Sequence, residues 1–260
     1  MTIASFYTDL SDAQWRLLRK LLPKARKLGR KPACRRRILN ALLYLNKAGC
    51  PWRLLPHCFG PWKTAYHVFR QWASNGTLRR LNDRLRYMVR REAGKRSRPT
   101  AAILDSQSVK SAAHGGDVGY DAAKKIKGRK RHILVDTLGM LISAVVSPAS
   151  IPERAGGLHL LRGCARALHW LRLLWVDSGY SGPDFAQEVG EIRPQAAVEV
   201  VRRSDDTTGF KVLPRRWLVE RTLGWLMLQR RLVRDYEQTE SSAEAFIYLA
   251  MIRIQLRRLA

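Results

Sequence analysis

The chain has 260 residues, 46% of them hydrophobic, and carries 48 lysines and arginines against 21 acids, a formal charge of +27. That apolar content excludes a wholly disordered chain, and that charge points to a polyanionic partner that relieves the self-repulsion of a compact body. No apolar run nears the ~18 residues that cross a bilayer, Met1–Asp9 lacks the pattern of a secretion signal, and no G-x-x-x-x-G-K-[ST] string occurs, which disfavours a membrane protein, an exported protein and a P-loop NTPase. Cys34, Cys50, Cys58 and Cys164 form no C-x-x-C pair. Cys50, His57, Cys58 and His67 suit no common zinc module, so the cysteines read as small buried hydrophobes in a reducing compartment.

The charge is uneven: residues 1–100 carry a net +20 and residues 101–260 a net +7. This asymmetry predicts a helical nucleic-acid-binding domain over 1–91, a basic linker over 92–99 and a second domain over 100–260. In the first, Ser11-Asp12-Ala13-Gln14 is a capping box that opens a helix ended by Pro23. A basic turn, Lys24 to Lys31, leads to a helix over 34–47 that begins with Arg35, Arg36 and Arg37. Three cations in a first turn oppose the helix dipole, and a facing phosphate would explain them. A short helix over 52–55 and a helix opened by Gly60-Pro61 follow. The latter buries Trp62, Tyr66, Phe69 and Ala73 and sets Lys63, His67 and Arg70 on another face. Helix, short helix, then a helix with a basic outer face predicts helix-turn-helix DNA recognition. A merely solvated helical face is the competing reading. A helix over 78–91 closes the domain.

Beyond Pro99 the pattern predicts β-β-β-α-β-α-β-α. The strands are 100–109, 133–136, 140–146, 171–176 and 196–201; the helices are 154–169, 183–189 and one beginning near Pro214. A basic loop from Lys124 to His132, with Lys125, Lys127, Arg129, Lys130 and Arg131, is expected to track DNA phosphates beside the first strand. Asp105 lies on the first strand, Asp177 ends the fourth, and Glu220 lies on the last helix. Taken singly, each is an unremarkable acid. Jointly, on neighbouring strand ends and a facing helix, they can converge, and converging acids call for a divalent cation such as Mg²⁺ or Mn²⁺. Asp136 precedes a Leu-Gly turn and is expected to cap it.

Several strings are long and specific: Gly49-Cys-Pro-Trp-Arg53-Leu-Leu-Pro56, Phe59-Gly-Pro-Trp-Lys-Thr-Ala-Tyr66, Asp105-Ser-Gln-Ser-Val-Lys110, Val135-Asp-Thr-Leu-Gly139, Val176-Asp-Ser-Gly-Tyr180 and Arg215-Arg-Trp-Leu-Val-Glu-Arg221. With them the chain resembles transposases of the IS5 group, in the wider IS4-like DDE superfamily. The resemblance implies an RNase H-like catalytic domain with the acidic triad on Asp105, Asp177 and Glu220. It also implies cleavage at terminal inverted repeats with strand transfer into target DNA, a dimer or higher oligomer on DNA, and a cytoplasmic, nucleoid-associated bacterial setting. The superfamily signature Tyr-x2-Arg-x3-Glu-x6-Lys is met at Arg216 and Glu220. Leu213 and Met227 depart from its Tyr and Lys, with Arg230 and Arg231 as substitute cations. A catalytically idle DNA-binding regulator and a nuclease without strand transfer are the competing readings. Incubation with Mg²⁺ and the element's own ends separates all three.

Overall fold

The computed structural model describes residues 6–23, 33–112, 116–201 and 215–260. The basic turn expected over Lys24–Lys31, and Leu213 of the signature, lie outside the described residues.

Four helices come first: α1 (Asp12–Leu21), α2 (Arg35–Ala48), α3 (Trp62–Ser74) and α4 (Thr77–Glu92). The capping box forms as expected, with Ser11 Oγ accepting from the Gln14 amide at 3.1 Å and Gln14 Oε1 accepting from the Ser11 amide at 3.2 Å. Two 3₁₀ turns, Trp52–Leu54 and His57–Phe59, separate α2 from α3. The buried face of α3 is Ala65, Phe69 and Trp72. Trp62, Tyr66 and Ala73, expected in it, are only half-buried.

The second part runs β1 (Ala101–Lys110), β2 (Gly119–Asp121), β3 (Ile126–Asp136), β4 (Leu141–Pro148), α5 (Glu153–Cys164), β5 (Leu173–Val176), α6 (Pro183–Ile192), β6 (Ala197–Val200), α7 (Trp217–Met227), α8 (Arg230–Val233) and α9 (Glu240–Leu259). The expected order of elements is present, with β2 added and β3 far longer than expected. The stretch read as a basic loop from Lys124 to His132 is mostly strand: Ile126–Asp136 pairs antiparallel with β1 on one side and with β2 and β4 on the other. Charge density suggested a loop, but backbone pairing on both edges holds these residues extended. β5 lies parallel to β1, and β6 parallel to β5, giving one mixed sheet.

Side-chain alternation gives the sheet two apolar faces. Ala102, Leu104, Leu134, Leu174 and Val176 pack with α5 and α6. Ile103, Ile133, Val135 and Trp175 belong to a larger core shared with α4, α7 and α9. That larger core also takes in Leu18, Leu39, Leu42, Phe69, Leu81 and Leu85 from α1–α4. The twenty-residue α9 is apolar on almost every side, as a helix sheathed by protein must be. The Phe69 and Phe246 ring centroids lie 4.6 Å apart. Asn46 donates to the Phe246 carbonyl at 3.1 Å, and Asn82 to the Leu141 carbonyl at 2.9 Å.

The division expected at 92–99 therefore does not separate two cores. Arg90, at the proposed boundary, is buried and pairs with Asp136 at 2.9 Å. Asp136 also caps its turn as expected, accepting from the Leu138 and Met140 amides. Among the described residues no helix is long and apolar enough to cross a membrane.

Candidate active site

The β1–β5 register matches Ala101 with Leu173, Ala102 with Leu174 and Ile103 with Trp175. Continued by two residues, it sets Asp105 level with Asp177, one strand spacing of about 4.8 Å away. Both share the α7-side face of the sheet with Ile103 and Trp175. Burial pushes the Asp105 carboxyl up to about 6. The Ser106 amide, which donates to it at 2.7 Å, opposes that rise, and the negative charges of Asp177 and Glu153 add to it. Asp177 Oδ1 accepts from the Gly179 amide at 3.0 Å, which starts the turn after β5.

Glu153 was not singled out from the sequence. It opens α5, and its Oε1 accepts from Ser106 Oγ at 2.9 Å and from Lys124 Nζ at 2.8 Å. The close seat of α5 on the sheet makes this possible. A Cβ at Gly156 would strike the His132 ring, and one at Gly157 would stand 2.8 Å from Tyr180 and 2.9 Å from Leu104. A Cβ at Gly179 would lie 2.7 Å from Glu153 Oε2 and 3.1 Å from Asp177 Oδ1, so these two acids flank one glycine. Tyr180 is buried beside them. Burial above all, then Asp105, Glu153 and Asp177, raises its hydroxyl well beyond the usual phenol range and keeps it neutral. The available sequence signal was Pro152-Glu153 opening a helix with a Gly156-Gly157 pair inside it.

Glu220 sits on the first turn of α7, half-exposed, and takes an ion pair from Arg216 at 3.3 Å. Arg216 is near enough to Asp105 for its charge to lower that carboxyl. The expected triad is thus brought together in part: Asp105 and Asp177 are neighbours, and Glu220 is turned to Arg216. Among the described residues no three His, Cys, Asp or Glu side chains are arranged to hold a metal ion.

The basic residues expected at DNA divide sharply. Lys63, His67 and Arg70 are all exposed on one side of α3, as expected. Lys125 and Lys127 are exposed where the chain enters β3. Arg37 is exposed too, but Arg36 is already engaged, bonding Asp12 at 2.6 Å and the Leu10 carbonyl at 2.7 Å. Arg35 donates to the Pro23 carbonyl. These two hold α1 against α2, which accounts for part of the basic first turn without phosphate.

Arg129, Lys130 and Arg131 are not at the surface: they are 1%, 5% and 2% exposed. Arg129 pairs with Asp235 at 3.1 Å and donates to the carbonyls of Asp117, Glu237 and Gln238. Lys130 pairs with Asp121 at 3.4 Å and donates to the Ile151 carbonyl. Arg131 donates to the Leu232 carbonyl at 2.7 Å. The DNA-contact expectation for these three is corrected, because internal partners take up their donors. Arg231, expected as a substitute cation, is likewise buried and paired with Glu237 at 2.7 Å. Arg230 is exposed.

Residues 10–82 match a family of domains assigned to IS4/5 transposases, and residues 96–254 match the transposase DDE domain family. The chain is also similar to the uncharacterized 16.2 kDa protein of insertion element IS402 from Burkholderia cepacia. The two are 28% identical over 117 residues, covering 42% of this chain and 78% of that protein.

Proposed function

The chain belongs to the DDE transposases, and on that premise we propose that it binds the terminal inverted repeats of its insertion sequence, cleaves DNA strands by metal-dependent hydrolysis and joins the ends to target DNA. The observation that carries this reading is the level pair Asp105 and Asp177 on adjacent parallel strands, with Glu153 behind them and α7 facing them.

The donor set suits a hard divalent cation. Three carboxylates stand against the single charges of Lys124 and Arg216, and the excess negative charge contributes to the raised Asp105. Asp105 and Asp177 would hold Mg²⁺ or Mn²⁺, with Glu220 as the third acid of the family triad. When bound, such an ion supplies Lewis-acid polarisation of the phosphodiester and of its attacking water or 3′-hydroxyl. The protein's own groups do the rest. Glu153 orients Lys124 toward the site, where its ammonium can meet a phosphate oxygen. Arg216 holds Glu220 at the mouth of the site. Tyr180, neutral and buried, closes the floor against water. The helix–turns–helix α2–α3, with Lys63, His67 and Arg70 outward, supports a DNA-recognition role as a helix-turn-helix variant. Lys125, Lys127 and Arg37 are further candidates for phosphate contact. Assembly into a dimer or higher oligomer on DNA, in a bacterial cytoplasm, belongs to the same reading.

Incubation with Mg²⁺ and duplexes carrying the element's ends tests it. Cleavage with joining is expected, and Asp105→Asn, Asp177→Asn and Glu220→Gln should each lower it by at least ~10³-fold while end binding persists. Cleavage without joining would indicate a nuclease. Binding without cleavage would favour the idle regulator, a reading to which the Arg216–Glu220 pair lends some support.

A further inference from the structure

A cleft of about 370 Å³ opens between α2, α7 and α9, and it shares no lining residue with the carboxylate site. Lys47, Arg253, Arg257 and Arg258 line it together with Trp225 and Gln229, and no Asp or Glu does. Four cations on one concave surface repel one another, and the usual remedy of an interleaved acid is missing among the described residues.

The cations are also held in place. Lys47 Nζ donates to the Leu228 carbonyl at 2.8 Å. Arg257 donates to the Tyr7 hydroxyl at 2.8 Å and lies over its ring. Arg258 stands 5.2 Å from the centre of the Trp225 ring. Arg253 is 7% exposed. Its Nη2 reaches the Tyr7 carbonyl at 3.4 Å, and its Nη1 is buried with no hydrogen-bond partner among the described residues.

A buried guanidinium nitrogen without an acceptor is costly and rare, and an arriving anion removes the cost. Burial first, then the charge of Arg257, lowers the Arg253 guanidinium, and the bond from Arg257 lowers the Tyr7 hydroxyl. The charges of neighbouring cations add to both shifts after these larger causes. Arginine forks beside a lysine suit phosphate oxygens.

A polymer fits better than a small phosphate. Beyond the cleft on α7, Arg221 lies 4.5 Å from the centre of the Trp225 ring, so the cations extend past the space that one small phosphate needs.

The geometry points to this cleft as a phosphodiester-binding site that grips DNA through its backbone, separate from both the α3 face and the carboxylate site. The inference rests on the DNA-acting reading above.

The test uses the full chain and a fluorescein-labelled 40-bp duplex of arbitrary sequence, titrated by anisotropy at several salt concentrations. Lys47→Gln, Arg257→Gln and Arg258→Gln together should flatten the slope of log K against log salt by about 2 to 3, since each lost phosphate contact removes about 0.9. Arg84→Gln, Arg91→Gln and Lys95→Gln, all exposed on or just beyond α4, change the net charge equally and should flatten it by less than about 1. Equal changes in the two variants, or none in the first, would overturn the site. Calorimetric binding of inorganic pyrophosphate that is lost in the first variant while its slope is unchanged would reassign the cleft to small phosphates and overturn the DNA assignment. Failure of the unaltered chain to bind any duplex would overturn both this inference and the function it rests on.

Discussion

Lys63, His67 and Arg70 on α3 and Arg129, Lys130 and Arg131 on β3 are similar clusters of cationic residues with opposite fates. The first set lies on the outer side of a helix whose other side packs Ala65, Phe69 and Trp72 into the core. The second lies on a strand paired on both edges and covered on both faces, and internal carboxylates and carbonyls take its donors. A basic run is therefore a DNA-binding candidate only where its backbone leaves a face open. Where strands flank it, the same chemistry ties distant segments together, here β3 to the chain between α8 and α9.

The largest expected effect breaks that tie. Arg129→Gln leaves Asp235 buried without its cation and three carbonyls without a donor. It should cost about 3–5 kcal/mol, read as a lowered urea midpoint. A variant that keeps its midpoint and loses only DNA affinity would place Arg129 with the α3 set after all.

Next in size is a half-buried acid whose desolvation outweighs the charge of Arg79. Burial first, then the charge of Glu240, pushes Glu244 up to about 7, although it accepts from the Val146 amide at 3.1 Å. The folded state thus holds this proton more tightly than the unfolded one, with its ordinary value of 4.5. Stability should decline as pH rises from about 4.5 through about 7. Glu244→Gln should remove that decline and stabilise the protein at pH 8 by about 2 kcal/mol. Thermal unfolding between pH 5 and 8 decides, and parallel curves for the two proteins would refute it.

Substituting Lys63→Gln, His67→Gln and Arg70→Gln together should sharpen the contrast from the other side. Stability should move by no more than about 0.5 kcal/mol per site, while discrimination between the element's ends and a scrambled duplex falls. Equal loss on both duplexes would mean that this face contacts backbone alone. The smallest effect is expected from Lys125→Gln with Lys127→Gln: unchanged stability and a salt slope flatter by at most about 2.

The sequence carried much of this in its periodicities. The Ser11 capping box, the element order after Pro99 and the open face of α3 follow from local chemistry, and the local patterns specify them. Asp105 and Asp177 were legible because each ends or interrupts an apolar run. Glu153 was not, because its place depends on how closely α5 approaches the sheet, and that rests on two glycines whose neighbours are remote in sequence. The burial of Arg129 was hidden for the same reason: Asp235 and the Glu237 and Gln238 carbonyls lie more than a hundred residues away. The core shared between the two parts was not legible, because α9 contributes to the packing of both, which no local pattern reveals.

That last helix also bears on how the protein is made. Translation at ~5–20 residues per second delivers α4 roughly 7–30 s before α9 follows. During that interval α2, α3 and α4 have emerged while the helix that packs against Phe69, Asn46 and Asn82 has not. Until α9 emerges, the apolar faces that it covers on α2, α3 and α4 stay open, and a chain broken off before residue 240 leaves them uncovered.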